Sequence, residues 1–273
     1  AIDDFEIREK PCDFTAPYVQ NFDGAEWTAG SGLENTGDDI DNCWTRNPGN
    51  TGGDYFWGVQ SGSTGTGGTG PDQDNTTGSG NYVYVEATLG SNGSTSTLTS
   101  PSIDISGLTD PELRFFYHQF GSNIDNLSIQ VDDGSGFTQV DNIVGQQQTA
   151  STDPFQERIV DLSSFSGNIE VRFEATKGTG GDGDIAIDDF EIRDIPGPIL
   201  SSTSPENKEN GIAQSSSIVL TFDQTVSNTD LSNALEIQGS ESGPIAGSVS
   251  GGGTTTLTFD PTDDFYPGEE VTV

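Results

Sequence analysis

The sequence predicts an all-β protein made of two sandwiches. Apolar and polar residues alternate in short runs, the pattern of strands with one buried face. Glycine is abundant, at 36 of 273 residues, and Ser, Gly and Asp turns separate the runs. Helix-like stretches are few, and the length is sufficient for two domains.

Residues 1–9, AIDDFEIRE, read as a strand that Lys10 and Pro11 end. Nearly the same string, AIDDFEIRD, returns at residues 186–194, a spacing of about 185 residues. Residues 1–11 are therefore expected to be the closing strand and linker of a preceding repeat, and 12–194 a second, complete copy. Within that copy, 18–22 is an extended run, Asp23 and Gly24 a turn, and Trp27 a core anchor. Residues 61–80, rich in Gly, Ser and Thr, read as surface loop. Clean alternation marks strands over 81–86, 127–131 and 169–175; 113–120 is apolar on both faces, as a central strand would be. Residues 161–165 read as a turn with a small apolar plug. Residues 195–198, Ile-Pro-Gly-Pro, form a stiff linker. Beyond it, 217–222, 234–237 and 254–259 are short strands of an immunoglobulin-like sandwich, and no closing strand is expected before Val273.

Acidic residues outnumber basic ones 44 to 9, a formal charge of -35. Such a surface repels phosphates and anionic lipid, so nucleic acid and membrane insertion are not expected, whereas divalent cations are attracted. No apolar run nears the roughly 20 residues that cross a bilayer, and no signal peptide is visible. Methionine is absent, so an internal or processed piece of a longer protein is expected. Cys12 and Cys43 flank a Gly- and Asp-rich loop, favouring one disulfide in an oxidising compartment; two separate buried thiols remain the alternative. Two cysteines and one histidine make no convincing zinc site.

The strand at 184–193 carries the densest chemistry. Successive side chains point to opposite faces, which groups Asp188 with Ala186, Phe190 and Ile192, and Asp189 with Ile185 and Ile187. One carboxylate therefore points toward the core, where it must be hydrogen-bonded, protonated or paired with a cation. With Lys and Arg scarce, a bound calcium ion is one candidate partner; acceptance of backbone N–H bonds at a sheet rim is the other.

Several motifs in residues 12–194 fall in a consistent order: CDFTAPYVQNFDG, NYVYVEAT with LTSPSIDIS, LRFFYHQFGSNIDNLSIQV and GDGDIAIDDFEI. Together they resemble the MAM domain family in its bacterial form. The resemblance implies a jelly-roll β-sandwich serving as an extracellular or cell-surface adhesion module without catalytic residues. It also implies a structural cation between the opening and closing strands, held by Asp23 and Asp188 with Asp189 in reserve. Animal members carry more cysteines, so their disulfide pattern does not transfer to Cys12 and Cys43. Residues 199–273 resemble a bacterial immunoglobulin-like domain of the surface-layer type, here incomplete, through SSTSPENKENGIAQSSSIVLTFDQTV and TTTLTFDPTDDFYPGEEVTV. The expected fold is a jelly roll followed by a smaller immunoglobulin-like sandwich.

His118, the single histidine, shares a strand face with Phe116 and Phe120 and reads as a hydrogen-bonded core residue rather than a general base. Trp44, Tyr55 and Trp57 sit beside loops and are glycan-stacking candidates, weighed against a place in the core; Tyr82 and Tyr84 read as core. Asp38, Asp39, Asp41, Asp72, Asp74, Asp182 and Asp184 show no complete calcium-loop spacing and default to solvated loop acids. The expected function is a non-catalytic, calcium-stabilised adhesion or structural repeat of a long secreted or cell-surface bacterial protein, with neighbouring repeats, copies of itself or glycans as partners. A carbohydrate-binding module of a polysaccharide-degrading enzyme, and a fibre subunit that donates its N-terminal strand, are the alternatives.

Overall fold

The computed structural model describes residues 12–50, 53–226 and 235–273. The strand expected at 1–9, and any donation of it, lies outside these residues. The chain separates into two compact units, residues 1–195 and 196–273.

In the first unit, two sheets enclose one core. The six-stranded sheet runs β11 (Gln156–Asp161), β8 (Pro111–Phe120), β13 (Asp184–Asp194), β5 (Tyr82–Val85) and β4 (Trp57–Gln60), with β2 (Tyr18–Gln20) also on β13. The seven-stranded sheet runs β1 (Asp13–Thr15), β7 (Ser102–Asp104), β12 (Asn168–Lys177), β6 (Thr95–Thr99) and β3 (Thr45–Asn47). In it, β9 (Ile124–Asp132) pairs with β12, and β10 (Thr138–Val144) pairs with β9. From β8 to β13 the chain passes back and forth between the sheets, as a jelly roll does. The alternation in β12 explains its place: Ile169, Val171, Phe173 and Ala175 are buried, while Glu170, Arg172 and Glu174 are partly exposed. Tyr18 lies across from Ile192 and Gln20 across from Phe190, so opening and closing strands are adjacent. Trp27 anchors the core and Leu162 plugs the turn after β11, both as expected. Cys12 and Cys43 form a disulfide with Cα atoms 5.1 Å apart.

Three expectations are corrected. Trp44, Tyr55 and Trp57 are 2%, 2% and 0% exposed and pack in the core cluster, so none of these rings offers a face to a sugar. The loop-side position that suggested stacking is the point where each strand enters the sandwich. Next, alternation does not hold through β13. Its pairing with β8 shifts between Asp188 and Glu191, and Asp189 has φ +48°. This one-residue bulge resets the parity. Ile185, Ile187, Phe190 and Ile192 therefore all join the core, and Asp188 shares a face with Ala186 but not with Phe190. Finally, residues 61–80 are not a free surface loop. Thr64, Thr69 and Asp74 within them are buried, and the segment covers the second face of the six-stranded sheet.

The second unit has a four-stranded sheet, β14 (Leu200–Ser204), β15 (Ile218–Phe222), β19 (Thr256–Pro261) and β18 (Gly247–Ser250). A three-stranded sheet comprises β17 (Gly243–Pro244), β16 (Gln238–Gly239) and β20 (Val271–Thr272). Ile218, Leu220, Ile237, Leu257 and Phe259 fill its core. The strand expected at 234–237 falls at 238–239 instead; residue 234 lies outside the described residues. Val271 and Thr272 pair with β16, where the sequence reading places no closing strand.

Candidate functional site

The second face of the six-stranded sheet follows from its register. Ala186 lies across from Tyr84 on one side and His118 on the other; Asp188 lies across from Phe116, and Asp184 from Phe120. Paired residues share a face, so Asp184 and Asp188 sit in one row with Tyr82, Tyr84, Phe116 and His118. Phe155 closes the apolar part of this row. Over it the 61–80 segment forms a roof held by backbone and side-chain bonds. The Gly70 N–H donates to Phe120 O (3.1 Å), the Asp72 N–H to Ser151 O (3.1 Å), and the Tyr82 hydroxyl to Gly62 O (2.6 Å).

The aspartates of β13 are the anchors of that roof. Asp188, 1% exposed, accepts the Asn75 N–H at 2.9 Å and the Asp189 N–H at 2.8 Å. Asp189 accepts from the Asn75 amide and the Thr76 hydroxyl. Asp74, in the roof itself, accepts N–H bonds from Thr77 (2.8 Å) and Gly80 (2.9 Å). Asp23 accepts the Asn81 N–H (2.7 Å) and the Asn21 amide (3.2 Å). A Cβ on Gly80 would meet the carboxylate of the exposed Asp23, which would have to shift to admit it.

Burial pushes the Asp188 carboxyl up to about 8, only partly offset by the Asn75 N–H, with the Asp189 charge adding to the rise. Burial and the neighbouring Glu86 charge push Asp184 up to about 7, against the N–H of Ala87 and the hydroxyl of Thr69. For Asp74, burial raises the pKa, but the bonds from Thr77 and Gly80 outweigh it and leave the carboxyl below its usual value.

The structure does not gather Asp23, Asp188 and Asp189 into a single ligand set. Among the described residues, no three acidic, histidine or cysteine side chains converge as a metal centre. Each of the three holds roof or turn donors. Other acids read as solvated are also engaged. Asp38 pairs with Arg46, and Asp41 accepts the Cys43 N–H (2.7 Å). Glu86, Lys177, Thr66 and Thr69 were not singled out by sequence reasoning, and Asn75 only as the start of an Asn-Thr-Thr glycosylation sequon. Glu86 is 3% exposed one residue beyond β5, Lys177 is 5% exposed at the end of β12, and the rest belong to the roof. A usable signal existed: buried carboxylates in a chain poor in Lys and Arg need N–H and O–H donors, and 61–80 is rich in them.

His118 is fully buried beside Phe120 and Phe155, and neither ring nitrogen makes a well-formed hydrogen bond. Its burial is as expected; its hydrogen bonding is not. Burial pushes its pKa down to about 4, with the backbone of Ala150 offsetting part of the shift.

Residues 38–196, more than half the chain, match the family model described as MAM domain, meprin/A5/mu. The chain belongs to the MAM family. Residues 194–273 match the model described as bacterial Ig-like domain. Among relatives of the MAM segment, Neuropilin-1a of Danio rerio is 33% identical over 144 residues, covering 51% of this chain and 15% of the relative. MAM domain-containing protein 2 of Mus musculus is 28% identical over 152 residues, covering 55% and 21%. The match thus spans under a quarter of either relative. Among solved structures, the K1 cleaved adhesin domain of Lys-gingipain from Porphyromonas gingivalis is similar at TM-score 0.43 and 17% identity, covering 66% of this chain and 98% of that one. TmCBM61, solved in complex with beta-1,4-galactotriose, is similar at TM-score 0.31 and 13% identity, covering 43% and 73%. No helix of the described residues is long and apolar enough to cross a membrane.

Proposed function

We propose that this MAM chain is a non-catalytic adhesion and spacer segment of a long secreted or cell-surface bacterial protein, with calcium as a stabilising ion. The observation that carries the reading is the tandem arrangement: a MAM unit runs directly into an immunoglobulin-like unit, and the string AIDDFEIR occurs a second time at the other end of the MAM unit. The filled second sheet face supports it, because the row of Asp184, Ala186 and Asp188 is covered by the chain's own roof. His118 is enclosed among rings, out of reach of a substrate. Strand donation is not favoured: β13 pairs with β8 on one edge and with β5 and β2 on the other, so the slot shaped for this sequence is already filled. Partners in this reading are neighbouring repeats or copies of the same protein.

Affinity electrophoresis of the full chain through gels containing neutral and acidic polysaccharides tests it. No retardation, and no released reducing ends, is the expected result. Retardation by a neutral polysaccharide would replace adhesion with carbohydrate binding, and released sugar would end the non-catalytic reading.

A further inference from the structure

Val85 of β5 lies across from Ile185 of β13 in an antiparallel pair. The next step of that register sets Glu86 across from Asp184, like charges side by side, an arrangement that destabilises a sheet. Both residues are buried, 3% and 0% exposed. Their donors are few and uncharged. Glu86 Oε1 accepts from the hydroxyls of Thr66 (2.8 Å) and Thr88 (2.9 Å) and from the Thr88 N–H (3.1 Å). Asp184 accepts from the Ala87 N–H (2.9 Å) and the Thr69 hydroxyl (2.8 Å).

Three polar atoms beside them are left over. Glu86 Oε2 is buried with no donor among the described residues, and the Tyr55 and Tyr84 hydroxyls are buried with no acceptor. Tyr55 is 2% exposed, and the charges of Asp184 and Glu86 add to the rise that burial gives its pKa. The ammonium of Lys177 donates to the carbonyl oxygens of Ala87 and Leu89 and acts on the two carboxylates only from a distance. One positive charge against two buried negative ones leaves an uncompensated charge, which a protein interior does not carry without a counter-ion or a proton. Every under-partnered atom here is an oxygen, the donor type of hard cations.

We propose that Glu86 and Asp184 bind a hard cation, calcium in the first instance, between β5 and β13 beneath the 61–80 roof. Glu86 Oε2 is its free carboxylate ligand, and the oxygens of Thr66, Thr69 and Tyr55 retain lone pairs that complete the shell. The site is separate from the sequence-derived set: Asp184 precedes Asp188 by four residues, about 13 Å along a strand. The inference gives the calcium of the reading above a location. It does not depend on what the module binds, so absence of a cation effect would leave the adhesion reading intact, and polysaccharide binding would leave the cation site intact.

The full chain, stripped with chelator, is titrated with CaCl2 and separately with NaCl at matched ionic strength, and its melting is followed by calorimetry. At a hundredfold excess over Kd, calcium is expected to raise the first unit's melting temperature by roughly 5–10 °C. Glu86→Gln and Asp184→Asn should each weaken the calcium midpoint by more than about tenfold, and Asp188→Asn should leave it within about twofold. Terbium luminescence sensitised by tyrosine provides a second readout: Tyr55→Phe, which keeps the ring packed but removes one oxygen of the shell, should dim the emission and weaken the calcium midpoint by less than the two carboxylate variants do. A response to sodium alone keeps the site and makes its ion monovalent. No response to either cation would show that a proton holds the pair, and a calcium response lost in Asp188→Asn but kept in Glu86→Gln would place the ion elsewhere; either result overturns the proposal.

Discussion

Trp57→Ala is expected to destabilise the first unit by about 3–5 kcal/mol, the cost of emptying a large buried ring. Trp57 is fully buried in β4, across from Val85 of the neighbouring β5 and against Ser96 of the seven-stranded sheet. Its Nε1–H donates to Ser96 O at 3.1 Å, its backbone N–H donates to the Ser96 hydroxyl at 3.1 Å, and its carbonyl accepts from Arg46 at 2.9 Å. The backbone bonds survive truncation; the ring's packing and the bond to Ser96 O do not. Trp57→Phe should cost less, because most of the apolar area stays while one buried carbonyl loses its donor, worth about 1–3 kcal/mol. Urea denaturation followed by far-UV circular dichroism measures both. A surface ring held out for sugar stacking would give changes within about 0.5 kcal/mol, so a near-neutral Trp57→Ala would reverse the correction made to the sequence reading.

The second large effect is a stability that rises on mild acidification. In chelator, urea midpoints should increase as pH falls from 8 to 6.5. The sign follows from linkage: Asp188 is raised from 3.8 to about 8 and Asp184 from 3.8 to about 7, so the folded state binds protons that the unfolded chain has released. Stability from such groups is lost as pH climbs toward the folded pKa. The slope per linked proton is at most about 1.4 kcal/mol per pH unit. Below pH 6.5 the trend is opposed by His118, whose folded pKa is lowered to about 4 and which therefore favours unfolding as it is protonated. The window from 8 to 6.5 isolates the carboxylates. Asp188→Asn should flatten the slope, and at pH 8 should cost less than at pH 6.5, even though the amide loses one of the two N–H bonds that the carboxylate accepts. Midpoints that fall on acidification across this window, or an unchanged slope in Asp188→Asn, would contradict the burial of these charges.

Strand positions were legible in the sequence because each depends on one buried face, and β12 or β9 shows that face in its own residues. Trp27 and Leu162 were found for the same reason. The bulge at Asp189 was not, because a period of two has no way to register one extra residue, and an aspartate tolerates the left-handed backbone without the glycine that would have flagged it. The roof was missed for a different reason. Segments are recognised as buried by their apolar side chains, and 61–80 has almost none; its attachment is made by Gly70, Asp72 and Asn75 N–H groups and by Thr66 and Thr69 hydroxyls. Glu86 escaped notice because its importance lies in facing Asp184, a relation that only the register between β5 and β13 creates.

Native-state hydrogen exchange at Gly70, Asp72, Asn75 and Gly80 tests most directly whether residues 61–80 are fixed over β13. All four amides should be protected to an extent approaching that of Val83 and Ile185 in the strands below, and Asp188→Asn should release Asn75 first. Exchange at the rate of an unstructured chain would mean that the segment hangs free and the aspartates face solvent.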